Sequence, residues 1–266
     1  MSKTLRNIFL SLILVLLSGP LIVVSGVSLN AKKRLFFPPQ GISLRWYAEL
    51  MTESSWLIPV RNSLTIALTS SFLALSIALP LAYFLWRYRV FYARALFTLG
   101  ISPFILPPVI TALGFLSFWV TIGFYGKIGA TMISHAIFFV TLPLVTISLG
   151  FESIDHEIVE AAQTLCADSG SVFKKVIFPM IRPYMISGVA FAFVLSLNEY
   201  IVAYMVSVFT VETLPINIFN SLRYGYTPVM ASVAVVFVLL AVIIFGLIGR
   251  FGDLPKLLGA MRPEEK

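Results

Sequence analysis

Six long apolar runs are the feature of this sequence that most restricts its fold. Each has about 20 residues or more, which is enough to cross the roughly 30 Å hydrocarbon core of a bilayer as an α-helix. A helix can do so because it satisfies its own backbone hydrogen bonds without water. The runs cover residues 7–29, 60–86, 95–120, 128–150, 184–208 and 229–249. The sequence therefore predicts an all-α polytopic membrane protein with about six transmembrane helices.

Composition and charge favour this class over a soluble nucleic-acid-binding protein. Charged residues make up 12% of the 266 residues and the mean hydropathy is +0.95, whereas soluble domains carry about 25% charged residues. The formal net charge is +7, but the basic residues are dispersed beside apolar segments. We interpret them as topology signals and as contacts to anionic lipid headgroups.

The distribution of basic residues predicts that both termini lie in the cytoplasm. An even number of spans places the termini on one side, and this orientation puts 12 of the 19 lysines and arginines inside and 7 outside, as the positive-inside rule favours. The exception is the Lys-Lys-Arg run at 32–34, close to the end of the first span. Residues 1–29 have the basic start of a secretory signal. Because that run is long, contains Pro20 and precedes further spans, we expect an uncleaved helix.

These features divide the chain into three parts. Residues 1–59 form an N-terminal transmembrane helix with its periplasmic connection, residues 60–250 form a core with a polar loop at 152–182, and residues 251–266 form a cytoplasmic tail. Cys166 is the only cysteine, so no intrachain disulfide can form, and no Cys/His cluster indicates a metal site. We expect neither a metal nor a cofactor.

The polar loop contains the stretch EAAQTLCADSGSVFKKVIFP at residues 160–179. Small or apolar side chains at helical spacing predict a short amphipathic helix over 155–166. These side chains are Ile158, Ala161, Ala162, Leu165 and Cys166. Asp155 is the predicted N-cap, and turn formers at 167–170 end the helix. A second short helix is predicted from Ser171 to Pro179, before Pro183 opens the next span.

Glu160 and the small residues that follow it predict a docking surface. Small side chains allow another backbone to come close, and the carboxylate can pair with a cation of a partner. The alternative is an ordinary amphipathic loop that lies on the membrane, and periodicity alone does not separate the two.

The spacing in this loop resembles the EAA signature of permease subunits of binding-protein-dependent type I ABC importers. That pattern has Glu-Ala-Ala, three residues, Gly, nine residues, Ile, one residue and Leu-Pro. The match here comprises Glu160, Ala161, Ala162 and Pro179. Val176 and Phe178 replace the usual Ile and Leu, and Cys166 replaces the usual Gly. The stretches at 61–85, 103–114 and 213–236 resemble the polyamine permeases of this family, so the likeness covers most of the chain from about residue 60.

The resemblance implies a division of labour among subunits. Two permease subunits, as a heterodimer or a homodimer, would form the pathway, a cytoplasmic ATPase dimer would supply energy, and a periplasmic binding protein would deliver the solute. The helix around 156–167 would be the coupling helix that docks on the ATPase, through Glu160, Ala161, Ala162, Leu165, Cys166 and Pro179. In agreement with this, the sequence contains no GxxxxGK[ST] phosphate loop, so the permease itself is not expected to be an enzyme.

Glu199 and His135 are ionisable residues inside predicted spans. Counted from the outer ends of their spans, they lie about 13 Å and about 10 Å deep, which places them in one layer. A charge in this region is costly unless it faces protein or a wet cavity. One interpretation is a structural pair; the other is a negative lining of the substrate pathway, to which Asn198, Tyr200 and Tyr204 add hydrogen bonds and cation–π contacts.

The sequence thus predicts a permease subunit of an ATP-driven importer in the bacterial inner membrane. The resemblance favours a polyamine or related organic cation as the solute, with aminophosphonates, thiamine-like cations and ferric iron left open. The alternative from another class is an autonomous channel or ion-coupled secondary carrier. A membrane-embedded enzyme has no support from paired carboxylates, a nucleophile motif or a metal-ligand pattern.

Overall fold

The computed structural model describes residues 3–88, 90–164, 168–207, 210–225 and 227–251. Within these ranges the chain forms thirteen α-helices, one π-helical turn and no β-strand. The helices are α1 Lys3–Ser28, α2 Arg45–Thr52, α3 Ser54–Tyr88, α4 Phe91–Ile105, α5 Pro108–Thr121, α6 Ile128–Phe139, α7 Thr141–Glu152, α8 His156–Thr164, α9 Ser169–Val172, α10 Phe178–Asn198, α11 Ile201–Ser207, α12 Leu214–Tyr224 and α13 Val229–Phe251. The π-helical turn is Phe173–Ile177.

The helices confirm an all-α polytopic fold. Four of the described helices are long and apolar enough to cross a membrane, namely Lys3–Ser28, Ser54–Tyr88, Ser169–Asn198 and Val229–Arg250. Two bent pairs, α4 with α5 and α6 with α7, bring the number to six when each pair is counted as one span. The six apolar runs of the sequence correspond to these six units.

The predicted third span, residues 95–120, is not one continuous helix. Its two halves, α4 and α5, meet at an angle of 111°. The cause is the pair Pro107–Pro108, because a residue that precedes proline is driven out of the α-region. Leu106 has φ −73° and ψ 147°, and Pro107 has φ −54° and ψ 131°. The prolines therefore produce a sharp break rather than a gentle kink.

Two further segments differ from the sequence prediction. The short helix expected to end at Pro179 instead continues, through α9, the π-helical turn and α10, as one run over Ser169–Asn198. The span predicted at 184–208 stops at Asn198, and Glu199 is extended with φ −76° and ψ 126° before α11 begins. The reason for this second break is a tertiary contact of Glu199 with His135 of α6.

The chain contains two compact units. One comprises Met1–Pro59 with Asn217–Val242, and the other comprises Val60–Ile216 with Ile243–Lys266. In the first unit, Trp46 and Leu50 of α2 are buried, while the apolar side chains of α1 are exposed along its length. In the second unit, α7 packs along α10, and the main cluster of buried side chains includes Leu144, Ile147 and Ile181.

Gly188 determines how closely α7 and α10 approach each other. A methyl group at this position would lie 2.6 Å from Cα of Pro143 and 2.5 Å from Oγ1 of Thr146. Because the first contact is with backbone, Gly188→Ala must push the two helices apart. We expect this single methyl to cost about 1–3 kcal/mol or more of stability, seen as a lower unfolding temperature of the purified protein.

Gly246→Ala is the matched control for this substitution. Gly246 is also helical, in α13, but no described residue lies within 4 Å of a methyl group placed there. The control should unfold at the temperature of the original protein or slightly above it, since alanine favours helix. Equal unfolding temperatures for the Gly188 and Gly246 variants would contradict close packing of α7 on α10.

Candidate functional site

Helix α8 is anchored on one side to the core of the second unit. Asp155 accepts a hydrogen bond from the amide of Glu157 at 3.0 Å, which confirms the predicted N-cap. Val159 is buried and Ala162 packs against the same cluster. The ring of His156 stacks on Trp86 of α3, with centroids 5.7 Å apart and planes 4° from parallel. The helix is therefore held against both α3 and the core.

The other sides of α8 are free for a partner in this single chain. Glu160 and Ala161 are exposed, as are Glu157 and Thr164. Leu165 and Cys166, which the sequence assigns to the same surface, lie outside the described residues. The exposed part of α8 thus combines carboxylates with small side chains.

Asp168 begins the long helical run that follows α8. Its carboxylate accepts the Ser171 hydroxyl at 2.6 Å and the Ser171 amide at 3.1 Å. These hydrogen bonds lower the pKa of the Asp168 carboxyl below its usual value. Since the pKa is depressed, this cap is present above the ordinary pKa of an aspartate and is lost only as the pH falls through the lowered pKa. The cap is therefore complete at neutral pH.

Pro179 lies just inside this run rather than at its end. Proline has no amide hydrogen and its ring crowds the carbonyl four residues earlier. The preceding π-helical turn absorbs this defect: the amide of Phe178 bonds to the carbonyl of Phe173, five residues back. The proline of the EAA pattern therefore shapes the junction between the loop and the membrane helix, and its side chain is exposed.

Glu199 occupies the break between α10 and α11. Its two carboxylate oxygens accept the amides of Val202 at 2.9 Å and Ala203 at 3.0 Å, so the side chain caps the N-terminus of α11. Oε2 also lies 3.2 Å from Nε2 of His135 in α6. The geometry does not meet that of an aligned hydrogen bond, so the two side chains are in close polar contact at ion-pair distance. Both side chains are nearly inaccessible, at 1% for His135 and 7% for Glu199.

A chain of hydrogen bonds extends this pair across the second unit. Nδ1 of His135 lies 2.8 Å from Oγ of Ser196, which lies 3.2 Å from Oγ of Ser70 in α3. Ser70 in turn donates to the carbonyl of Ile66 at 2.6 Å. The chain connects α3, α6 and α10 at the level where α10 ends. It explains why α10 stops at Asn198, because Glu199 is recruited to a partner on another helix.

Neighbouring polar contacts fix the same region. Trp119 of α5 donates its indole N–H to Ser134 of α6 at 2.7 Å, and Thr131 of α6 donates to Ser207 of α11 at 2.9 Å. α11 packs against α5 and α6. The hydroxyls of Ser134, Thr131 and Ser207 are therefore all hydrogen-bonded within the protein. Because these buried hydrogen bonds would be lost if the helices shifted, they favour one rigid arrangement of α5, α6 and α11.

The remaining residues predicted for a pathway surround the break. Asn198 is exposed, and its amide donates to the Val194 carbonyl of its own helix at 2.8 Å. Tyr200 and Tyr204 are half-buried, with ring centroids 5.2 Å apart. The structure therefore brings His135 and Glu199 together, stacks the tyrosines beside each other and leaves Asn198 on the surface of this chain.

Sequence reasoning missed Ser196, Ser70 and Trp86. Ser196 is three residues before Glu199, and a serine so close to an ionisable residue in a span was the available signal. Ser70 gives no such signal, because serines in membrane helices commonly bond to their own backbone. Trp86 stands at the end of an apolar run, where an aromatic residue is read as an interfacial anchor.

The fold and these sites define a multi-pass helical protein with broken membrane helices and an exposed helical knob in a loop. Comparison with known proteins specifies the class. The family model for the binding-protein-dependent transport system inner membrane component matches residues 70–253. The chain belongs to this family, and it is a permease subunit of a bacterial importer in the inner membrane.

Relatives in this family match along nearly their whole lengths. The chain is 34% identical to the putrescine transport system permease protein PotI of Escherichia coli strain K12 over 254 residues, covering 93% of this chain and 88% of PotI. It is 28% identical to the spermidine/putrescine transport system permease protein PotC of Haemophilus influenzae over 237 residues, covering 89% and 92%.

Solved structures agree in fold at much lower identity. A chain of a bacterial ABC transporter for import of the acidic polysaccharide alginate superimposes with a TM-score of 0.72 at 16% identity, covering 94% of this chain and 98% of that one. A chain of the MetNI methionine ABC transporter in an inward-facing conformation gives 0.61 at 18% identity, covering 78% and 97%. The expectation of a type I importer permease fold is confirmed.

Proposed function

We propose that this permease carries a polyamine or a related small organic cation, handed over by a periplasmic binding protein and driven by ATP. The main support for this proposal is the similarity to PotC and PotI, which covers about nine-tenths of this chain and about nine-tenths of each relative. Both relatives are named for polyamine transport, which favours a polyamine over aminophosphonates, thiamine-like cations and ferric iron. Membership of the binding-protein-dependent family favours an ATP-driven importer over an autonomous channel or ion-coupled carrier.

The break at Glu199 supports a route for a cation. Glu199 is the one Asp or Glu within the six predicted spans. Its oxygens already contact two amides and His135. We therefore propose that Glu199 shapes the route and gives it a negative field, and that it does not bind the cation directly. Asn198 is polar and exposed at membrane depth, which is costly unless it faces a wet cavity or another subunit. We assign Asn198, Tyr200 and Tyr204 to the lining, where the tyrosine faces suit an ammonium group.

Helix α8 is assigned to transmission of force from the ATPase. Its exposed surface around Glu160 and Ala161 would sit in a cleft of a cytoplasmic ATPase dimer, while the contact of His156 with Trp86 passes motion to α3. This role requires the loop at 152–182, and with it both termini, to face the cytoplasm. A second permease subunit, identical or different, would complete the pathway, with residues 60–250 as the core of each half.

The first experiment is purification of the tagged permease from its native membrane. We expect an ATPase, a permease partner and a binding protein to co-purify, and the transporter rebuilt from them in vesicles to take up radiolabelled spermidine or putrescine only with ATP inside. Methionine and sulfate serve as matched non-cationic competitors. Uptake without ATP, or competition by the anion and not by the polyamines, would overturn the proposal.

A further inference from the structure

The loop that follows α1 carries three basic residues and then three apolar ones, all exposed. Lys32, Lys33 and Arg34 have no carboxylate partner within the described part of the chain. Leu35, Phe36 and Phe37 are 42%, 51% and 44% exposed. The basic run is also the exception to the charge pattern that orients the other spans. Neither its charge nor its apolar surface is used by the transport function described above.

This loop is a built structure around one buried side chain. Asn30 is 1% exposed. Its amide group donates to the carbonyls of Arg34 at 3.2 Å and Phe36 at 3.4 Å, and its oxygen accepts the amides of Lys32 at 3.1 Å and Gln40 at 3.2 Å. The two ends of the loop are joined by a hydrogen bond from the Ala31 amide to the Gly41 carbonyl at 3.1 Å. These hydrogen bonds hold the exposed residues 32–37 in a fixed conformation, which reduces the entropic cost of binding.

The loop folds back along the membrane helix instead of away from it. The ring of Phe37 lies against Gly26 of α1, where a methyl group would be 2.6 Å from Cε2 of the ring. Leu21, Ile22 and Val23 of α1 are exposed apolar side chains and require a hydrocarbon environment. Gly26 is three residues beyond Val23, which is about 4.5 Å along the helix. The ring of Phe37 thus lies beside the last turn of α1, close to these exposed apolar residues.

The neighbouring aromatic residues stand at the same end of α1. The hydroxyl oxygen of Tyr47 lies 2.8 Å from Oγ of Ser28. The indole N–H of Trp46 donates to the carbonyl of Asn30 at 2.5 Å. The guanidinium of Arg45 lies 3.8 Å from the centre of the Trp46 ring. Trp46 is buried, so its hydrogen bond fixes the base of the loop and does not reach lipid. Tyr47 is half-buried and belongs to a residue type enriched at membrane interfaces, where one end of the ring is apolar and the other is polar.

We propose that residues 32–37 are an interfacial anchor that inserts Leu35, Phe36 and Phe37 at the acyl–headgroup boundary and binds anionic phospholipid headgroups through Lys32, Lys33 and Arg34. Each lysine or arginine close to an anionic membrane surface adds a similar amount of electrostatic attraction. Burial of the apolar side chains among the lipids then holds the loop in place. The proposed topology places this anchor in the periplasmic leaflet. The anchor fixes the end of α1, whose apolar side chains are exposed along most of its length.

The test uses the complete transporter in phosphatidylcholine vesicles that contain a shallow nitroxide lipid. A bimane probe is attached to Phe36→Cys, and the same complex without Phe36→Cys corrects for labelling of Cys166 and of the partners. We expect nitroxide phosphatidylglycerol to quench the probe at least about twofold more than nitroxide phosphatidylcholine at low salt. The ratio should approach one at about 1 M salt, where the Debye length is about 3 Å.

Charge variants identify the groups responsible. The triple change K32Q, K33Q, R34Q should reduce the quenching ratio to about one at low salt while quenching by phosphatidylcholine persists through the apolar triplet. The charge-preserving change K32R, K33R should retain the ratio. Three results would each overturn the proposal: no quenching by either lipid, equal quenching by both at low salt, or loss of quenching when the binding protein is added, which would assign the loop to a protein partner.

Discussion

Replacing Glu160 by lysine is expected to lower ATP-driven uptake at least about tenfold while the membrane fold stays intact. Removing one member of a charged pair at a protein interface costs about 2–5 kcal/mol, and each 1.4 kcal/mol is about tenfold in affinity. Glu160 is exposed, so its replacement disturbs no buried contact within the described part of the chain. Lysine also favours helix, and Glu160 is at the middle of α8, away from both ends of the helix dipole. A loss of uptake would therefore come from docking rather than from unfolding of α8.

The measurement compares uptake, ATP hydrolysis stimulated by the binding protein, and co-purification of the ATPase. Glu53→Lys is the matched control, because Glu53 is also exposed and undergoes the same change of charge. Glu53 belongs to the first compact unit, whereas α8 belongs to the second. The control should transport at nearly the original rate. If Glu160→Lys transports as well as Glu53→Lys does, the docking role of this carboxylate is wrong, and α8 is better explained as an amphipathic helix on the membrane surface.

The length of the apolar runs was sufficient to predict the spans, because a bilayer imposes one length on every helix that crosses it. The run at 7–29 corresponds to Lys3–Ser28, and the run at 229–249 to Val229–Phe251. Hydropathy does not report the direction of the backbone, so the bend at Pro107 was not predicted from it. The proline pair did carry that information, since a residue before proline leaves the helical region.

The break at Glu199 is a different case, because its cause lies on another helix. Counting residues from the ends of the spans placed Glu199 and His135 in one layer, and the structure has them 3.2 Å apart. The count could not predict that Glu199 leaves α10 to cap α11. Nor could it predict the link through Ser196 to Ser70, because a serine in a membrane helix has an equally good acceptor in its own backbone. Local patterns predicted the level of the site, and packing decided its geometry.

Substitutions of Glu199 and His135 are expected to lower stability in a strongly non-additive way. Glu199→Ala removes the cap of α11, worth about 0.5–2 kcal/mol, and leaves the buried His135 without its partner. Breaking a buried pair from one side costs about 3–5 kcal/mol, whereas replacing both members by apolar residues is often nearly neutral. His135→Leu should therefore be costly alone but add little to Glu199→Ala. Glu199→Gln, which keeps one acceptor oxygen for the α11 amides, should fall between the original protein and Glu199→Ala.

A double-mutant cycle on the assembled transporter measures this coupling, with thermal unfolding and the uptake of a polyamine recorded for each variant. A coupling energy of about 1.5 kcal/mol or more is expected for groups in contact. Asn198→Ala is the comparison for a residue proposed to line the route, since its side chain is exposed and, among the described residues, bonds to its own helix. That variant should raise the KM for uptake and leave unfolding unchanged. If Glu199→Gln behaves like Asn198→Ala, with an altered KM and an unchanged unfolding temperature, the carboxylate contacts the cation directly, and its bonds to α11 and His135 are secondary to that contact.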